Sequence, residues 1–123
     1  MSHVKEQVYG RLNYRTENYI ERPSDERFEV ILCLSTVKWV HLSYGDTGVK
    51  ALFLKVASQL NRGGLFIFEQ QPWKSYRKCK HAKGVKIEFK PNLFKQYLQQ
   101  LGFKLQATVS ECEKPIYVYR KCA

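Results

Sequence analysis

An α/β fold, with a mostly parallel central sheet, flanking helices and an antiparallel edge at its C-terminal end, follows from three features of the sequence. Two nearly unbroken apolar runs of strand length flank a segment with helical spacing, and the chain ends in two segments whose polar and apolar residues alternate. The first run, FEVILCLS (residues 28–35), reads as a central strand covered on both faces. After Gly45 and Asp46, the residues Val49, Leu52, Phe53, Val56, Ala57 and Leu60 recur at three-and-four spacing, which predicts an amphipathic helix ended by residues 61–64. GLFIFEQ (64–70) is the second run, so strand, helix and strand make a βαβ crossover expected to be right-handed. Pro91 opens a second helix, with Leu93, Phe94, Tyr97, Leu98 and Leu101 on one side and Gly102 just past its end. FKLQATV (103–109) and PIYVYRK (115–121) close the chain as a more exposed antiparallel pair. Upstream, LNYRTENYI (12–20) is a further candidate strand, followed by the polar turn ERPSDER.

The 123 residues fit one domain with a real core. Twenty-one Lys and Arg against eleven Asp and Glu give a net charge of +10, so a polyanion is the expected class of partner, nucleic acid first. An apolar share of 44 % argues against disorder, and no apolar run approaches the roughly 20 residues that span a bilayer. The N-terminus, MSHVKEQVYG, lacks the apolar core of a signal peptide, which predicts an intracellular chain, nuclear or cytoplasmic, whose four cysteines are thiols. No CxxC pair is present and Cys79 with His81 is the nearest approach to a metal motif, so no metal is expected. GxGxxG, GxxxxGK, HExxH and Gly-x-Ser-x-Gly are all absent, which excludes the common dinucleotide, NTPase, zinc-protease and hydrolase signatures.

Ligands of open α/β sheets bind beyond the carboxyl ends of the parallel strands. Here those ends read STVKWVHL and EQQPWKSY. They put Lys38, Trp39 and His41 at a site edge, although Trp39, Val40 and Leu42 are equally suited to packing under the next helix. His41 and Asp46, five residues apart across a Gly-containing turn, are expected to form a solvated loop pair rather than an acid–base dyad. The segment WKSYRKCKHAKGVK (73–86) reads as a basic loop, with Lys74, Arg77, Lys78, Lys80, Lys83 and Lys86 interleaved with Trp73 and Tyr76. Such a run is often a solvated face. Its aromatics, its place after a central strand and the charge of the whole chain favour RNA contact, with cations on phosphates and Trp73 or Tyr76 stacking on bases.

Two stretches, CLSTVKWVHLSYGDTGVKALF and LNRGGLFIFEQQPWKSY, closely resemble the bicoid-interacting-protein type of RNA methyltransferase, the group that includes the methylphosphate capping enzyme of small nuclear RNA. The resemblance runs from about Asn13 to the C-terminus. Residues 61–64 replace a proline-bearing turn, and Glu17 stands where Gly usually precedes Asn18 and Tyr19. It implies a Rossmann-like class I methyltransferase fold, S-adenosylmethionine as cofactor, and methyl transfer to a 5′-terminal phosphate of RNA. A phosphate oxygen is already anionic and needs no general base, so positioning carries the catalysis, and positioning can supply roughly 7 to 11 kcal/mol.

Carried over by position, Asn18, Tyr19 and Leu34 match cofactor-side positions and Lys38 matches the lysine that orients the target phosphate. Trp39, His41, Gln71, Pro72, Trp73 and Tyr76 match positions near the RNA end. Arg77, Lys78 and Lys80 of the basic segment extend the expected RNA contacts. The family's first strand with its glycine-rich loop, and the next strand with its acidic end, have no counterpart in residues 1–12. Residues 1–123 are therefore expected to be a partial methyltransferase domain that binds the cofactor poorly on its own, with an exposed apolar edge on the strand at 28–35. The alternative is a non-catalytic RNA-binding or regulatory fragment of such an enzyme. No membrane partner is expected.

Overall fold

The computed structural model describes residues 6–7, 27–34, 36–78, 86–110 and 114–122. Strand β1 (Glu6–Gln7) precedes β2 (Phe28–Cys33), helix α1 (Val37–Gln59), β3 (Leu60–Glu69), the short helix α2 (Trp73–Lys78), a 3₁₀ turn at Pro91–Leu93, α3 (Phe94–Gln100), β4 (Phe103–Ser110) and β5 (Ile116–Lys121). The five strands form one sheet in the order β1-β2-β3-β5-β4. Its parallel part is β2 on β3, in a register that pairs Ile31 with Phe66 and Cys33 with Phe68. β5 pairs antiparallel with β3, and β4 with β5, which is the closing hairpin edge that the alternating C-terminal segments predict.

Burial along β3 follows the pleat, with Phe66 and Phe68 fully buried and Leu65 and Ile67 only half-buried. Phe28, Ile31 and Cys33 of β2 and Tyr119 of β5 join the same buried cluster, which Val49, Leu52, Phe53 and Val56 of α1 and Phe94 and Leu98 of α3 complete. The two apolar runs predict cover on both faces; among the described residues the second face of β2 and β3 is covered only halfway, at Val30, Leu32, Leu65 and Ile67. Aromatic rings fill the packed side. Phe66 stacks on Phe68 at 5.0 Å and Phe53 meets Phe94 edge-on at 5.3 Å.

The outer edge of β2 carries β1, which pairs antiparallel at Ile31 and Val30. The candidate strand at 12–20 lies outside the described residues. At the far end of α1 the carbonyls of Ala57 and Leu60 accept from the Lys121 ammonium, at 2.8 Å for Leu60, and Ser58 O accepts from Arg27. Both cations sit where the helix dipole is negative.

Helix α1 departs most from expectation. Its spacing predicts a start after Asp46, but the chain turns helical from Val37, immediately beyond β2, and continues to Gln59 with one break at Gly45 (φ 73°, ψ −165°). That conformation is accessible essentially to glycine alone. Three residues later Gly48 lies so close to the preceding turn that a Cβ there would fall 2.2 Å from Tyr44 Cβ. The two glycines of the GDTG stretch therefore serve different ends, one bending the helix and the other allowing the bend to close.

Candidate functional site

β2 and β3 run parallel, so their carboxyl ends lie at the same edge of the sheet, and α1 and α2 both begin there. Lys38 stands in the first turn of α1 and is half-buried; its Nζ donates to Ser75 Oγ of α2 at 2.8 Å. The Ser75 hydroxyl in turn donates to Gln71 Oε1 at 3.3 Å, and Gln71 Nε2 donates to Glu69 Oε1 at 2.9 Å. This chain of polar side chains runs from the start of α1 to the last residue of β3. Trp39, 43 % exposed, has its ring 5.5 Å from Lys38 Nζ. Trp73 opens α2, and Lys90 Nζ stands 5.1 Å from its ring. Leu34 is half exposed just past β2. Lys38 and α2, which Trp73 opens, therefore meet on one rim through Ser75, while Lys90 arrives from the segment before α3.

His41 and Asp46 correct the sequence expectation. They form no solvated pair: His41 is fully buried, its Nε2 is 2.8 Å from Asp46 Oδ1 and its Nδ1 is 3.1 Å from the Tyr76 hydroxyl. On an uninterrupted helix residues five apart point about 140° away from each other. The break at Gly45 removes that obstacle and turns Asp46 back onto the imidazole. The other carboxylate oxygen, Oδ2, accepts the backbone N–H of Glu88 at 2.9 Å and of Phe89 at 3.1 Å. Around the imidazole, Tyr76 lies edge-on at 5.2 Å and Phe94 at 5.9 Å.

Burial holds His41 below its ordinary titration range, and the Asp46 carboxylate offsets this only in part. The imidazole is thus neutral near neutral pH, with Nε2–H donating to Asp46 and Nδ1 accepting from Tyr76. For Asp46, burial opposes ionisation, but the hydrogen bonds from His41 and from the Glu88 and Phe89 amides outweigh it and keep the carboxyl below its usual range. Burial pushes the Tyr76 phenol far above its ordinary value.

These placements divide the residues expected at the RNA end. His41 and Tyr76, at 0 % and 1 % exposure, present no face to a ligand; their rings are packed and their polar atoms bond to each other. Trp73 is half-buried and Arg77 is exposed. Lys78 ends α2 with its side chain outside the described residues, as are Asn18, Tyr19 and Lys80 altogether. The basic segment begins as a helix rather than a loop, and Lys86 at its far end pairs with Glu88 at 3.0 Å, both exposed. Ser75 and Lys90 are not singled out by sequence reasoning. Ser75 carries no signal beyond its place in the second stretch, and Lys90 approaches Trp73 from the segment whose 88 and 89 amides bond to Asp46, a contact that no local pattern announces. Among the described residues no group of three His, Cys, Asp or Glu side chains is placed to hold a metal ion, and no helix is long and apolar enough to cross a membrane.

Comparison with known proteins agrees with this architecture. The 7SK snRNA methylphosphate capping enzyme of Homo sapiens is 36 % identical over 129 residues, covering 93 % of this chain and 19 % of that protein. The U6 snRNA methylphosphate capping enzyme Amus of Drosophila melanogaster is 37 % identical over 117 residues, covering 83 % of this chain and 38 % of its own length. The chain thus spans between a fifth and two fifths of these curated relatives. Among solved structures, an S-adenosylmethionine-dependent methyltransferase from Clostridium acetobutylicum superposes with a TM-score of 0.64 at 13 % identity, over 91 % of this chain and 66 % of that one. The N-methyltransferase NodS from Bradyrhizobium japonicum, in complex with S-adenosyl-L-homocysteine, gives 0.63 at 13 % identity, over 85 % and 52 %. At such identities these likenesses establish the fold alone, the Rossmann-like class I methyltransferase fold. The family model described as Bicoid-interacting protein 3 (Bin3) matches residues 28–121, which contain both parallel strands, the Lys38 rim and the His41 cluster, and the chain belongs to that family.

Proposed function

We propose that this chain is the phosphate-holding part of an S-adenosylmethionine-dependent enzyme that methylates a 5′-terminal phosphate of RNA. The names of its relatives support the reaction class, and a net charge of +10 suits an RNA partner. The observation that carries the proposal is the Lys38 ammonium, held at 2.8 Å by Ser75 at the carboxyl edge of the parallel strands. An ammonium has three donors; among the described residues one is engaged by Ser75, which leaves the group able to bind phosphate oxygens while its direction is set. The anionic oxygen needs no base, and the buried His41, bonded to Asp46 and Tyr76, is not offered to a substrate as one.

The described residues fit the cofactor in part. Leu34 offers an apolar contact beyond β2, where the methyl donor of the reaction would lie. The carboxylates nearest the rim are engaged elsewhere, Glu69 with Gln71 and Asp46 with His41 and two amides, so a ribose partner must come from other residues. The second reading, an RNA-binding fragment without turnover, keeps the same Lys38 rim and the same basic charge.

The deciding experiment incubates the protein with methyl-labelled S-adenosylmethionine and RNAs that differ only at the 5′ end, bearing hydroxyl, monophosphate or triphosphate. Label confined to the phosphorylated RNAs supports the enzyme. Tighter binding of phosphorylated ends without label supports the fragment, and equal behaviour of all three RNAs overturns both.

A further inference from the structure

We infer that His41 is a positioning residue, the buried hub that holds α2 and residues 88–90 against the start of α1 and thereby sets where Lys38 presents its ammonium. The inference rests on the proposed role of Lys38 at the RNA 5′ phosphate. Two rungs join α1 to α2: Lys38 to Ser75 at 2.8 Å, and His41 to Tyr76 at 3.1 Å. Lys38 and His41 are three apart on α1, so they share a face, and their partners are adjacent on α2. The lower rung is buried and the upper one reaches the rim. A helix of six residues does not hold itself in place. Its position depends on what it is tied to, and the Tyr76 ring and hydroxyl are its buried attachment.

The hub has a third arm. Through Asp46, His41 is linked to the amides of Glu88 and Phe89, and the next residue, Lys90, stands over Trp73 on α2. The circuit α1 to α2 to residues 88–90 and back to α1 is thereby closed around one imidazole. Nε2 donates and Nδ1 accepts from two fixed positions on one rigid ring, whereas a glutamine amide carries its donor and acceptor at the end of a flexible stem and has to reorient to meet Asp46 and Tyr76. The imidazole acts on the phosphate only through Lys38, by fixing the helix that carries Ser75.

The test uses Tyr76→Phe, which keeps the packed ring and removes only the rung, alongside His41→Gln and Ser75→Ala. For each variant of the chain, affinity is measured for a 5′-phosphorylated RNA and for the same RNA with a 5′-hydroxyl, together with melting temperature and amide hydrogen exchange. Positioning predicts that Tyr76→Phe lowers the preference for the phosphorylated end roughly tenfold, the scale of one hydrogen bond. It also predicts faster exchange in α2, unchanged exchange in β3, and unchanged affinity for the hydroxyl end. In the Ser75→Ala background the same change should do little more, because both act through Lys38. Full retention of the preference in Tyr76→Phe overturns the inference and leaves the proposed function standing, as does an equal loss of affinity for both RNAs. An absence of preference in the unsubstituted chain overturns the proposed function and the inference with it. If Tyr76→Phe does not fold, the Ser75→Ala and His41→Gln pair decides by the same additivity criterion.

Discussion

His41 couples acidity to stability. Its folded titration point lies below the 6.5 of an unfolded histidine, so its contribution is complete above that value and is lost as the pH falls through it toward the folded point. Asp46 is held below its ordinary 3.8, and its contribution disappears only as the pH falls through that lower range. Both trends have one sign, and the histidine's comes first. Urea midpoints should therefore drop between pH 7.5 and 5.5, and His41→Gln should flatten most of that slope. At the rim, Lys38→Ala should reduce the discrimination between phosphorylated and hydroxyl RNA ends by about 10- to 100-fold, as expected for a charged hydrogen bond, with cofactor affinity in the active protein unaltered. The place of Lys38 at the end of a parallel strand was legible in the sequence, because it follows a buried run; its role at a phosphate is the proposal made above. The burial of the His41–Asp46 pair was not legible, because residues around a Gly-containing turn read as a solvated loop, whereas the backbone is helical on both sides of a break at Gly45 and carries the imidazole into the core.

Helix α1 shows what a glycine hides. Its neighbours Gly45 and Asp46 read as punctuation before a helix, yet helical backbone precedes them, and the break is internal. A side chain at Gly45 meets no atom within 4 Å, so Gly45→Ala carries backbone strain alone, about 1 to 3 kcal/mol, measurable by denaturant unfolding. If the break serves to return Asp46 to His41, the same substitution should also abolish the pH slope just described. α2 escaped notice for a simpler reason. Six residues with alternating aromatics and cations show no apolar period, and a basic loop is the natural reading of them. Longer elements were visible: β2, α3 and the β4–β5 hairpin lie where the first apolar run, Pro91, Gly102 and alternation place them, while β3 begins at Leu60 and takes in residues 61–64, which were expected to end the helix.

Across the whole molecule, charge and fold act together. The proposed RNA binding, on a chain of net charge +10, should depend strongly on salt, and Arg77 is exposed on α2 beside the rim. Arg77→Ala should lower the slope of log affinity against log salt by about 0.7 for single-stranded RNA if it meets a phosphate; an unchanged slope would mark it as a solvating residue. The sheet order itself was only half legible, since β1, two residues long, has no periodicity to announce it. One buried atom turns this architecture into a clock. The Cys33 thiol closes β2 beneath the core while Cys122 lies exposed beyond β5. An alkylating reagent should mark Cys122 at once and Cys33 only in molecules whose β2–β3 seam has parted. The ratio of the two adducts, followed by mass spectrometry, then times the breathing of the centre of the sheet.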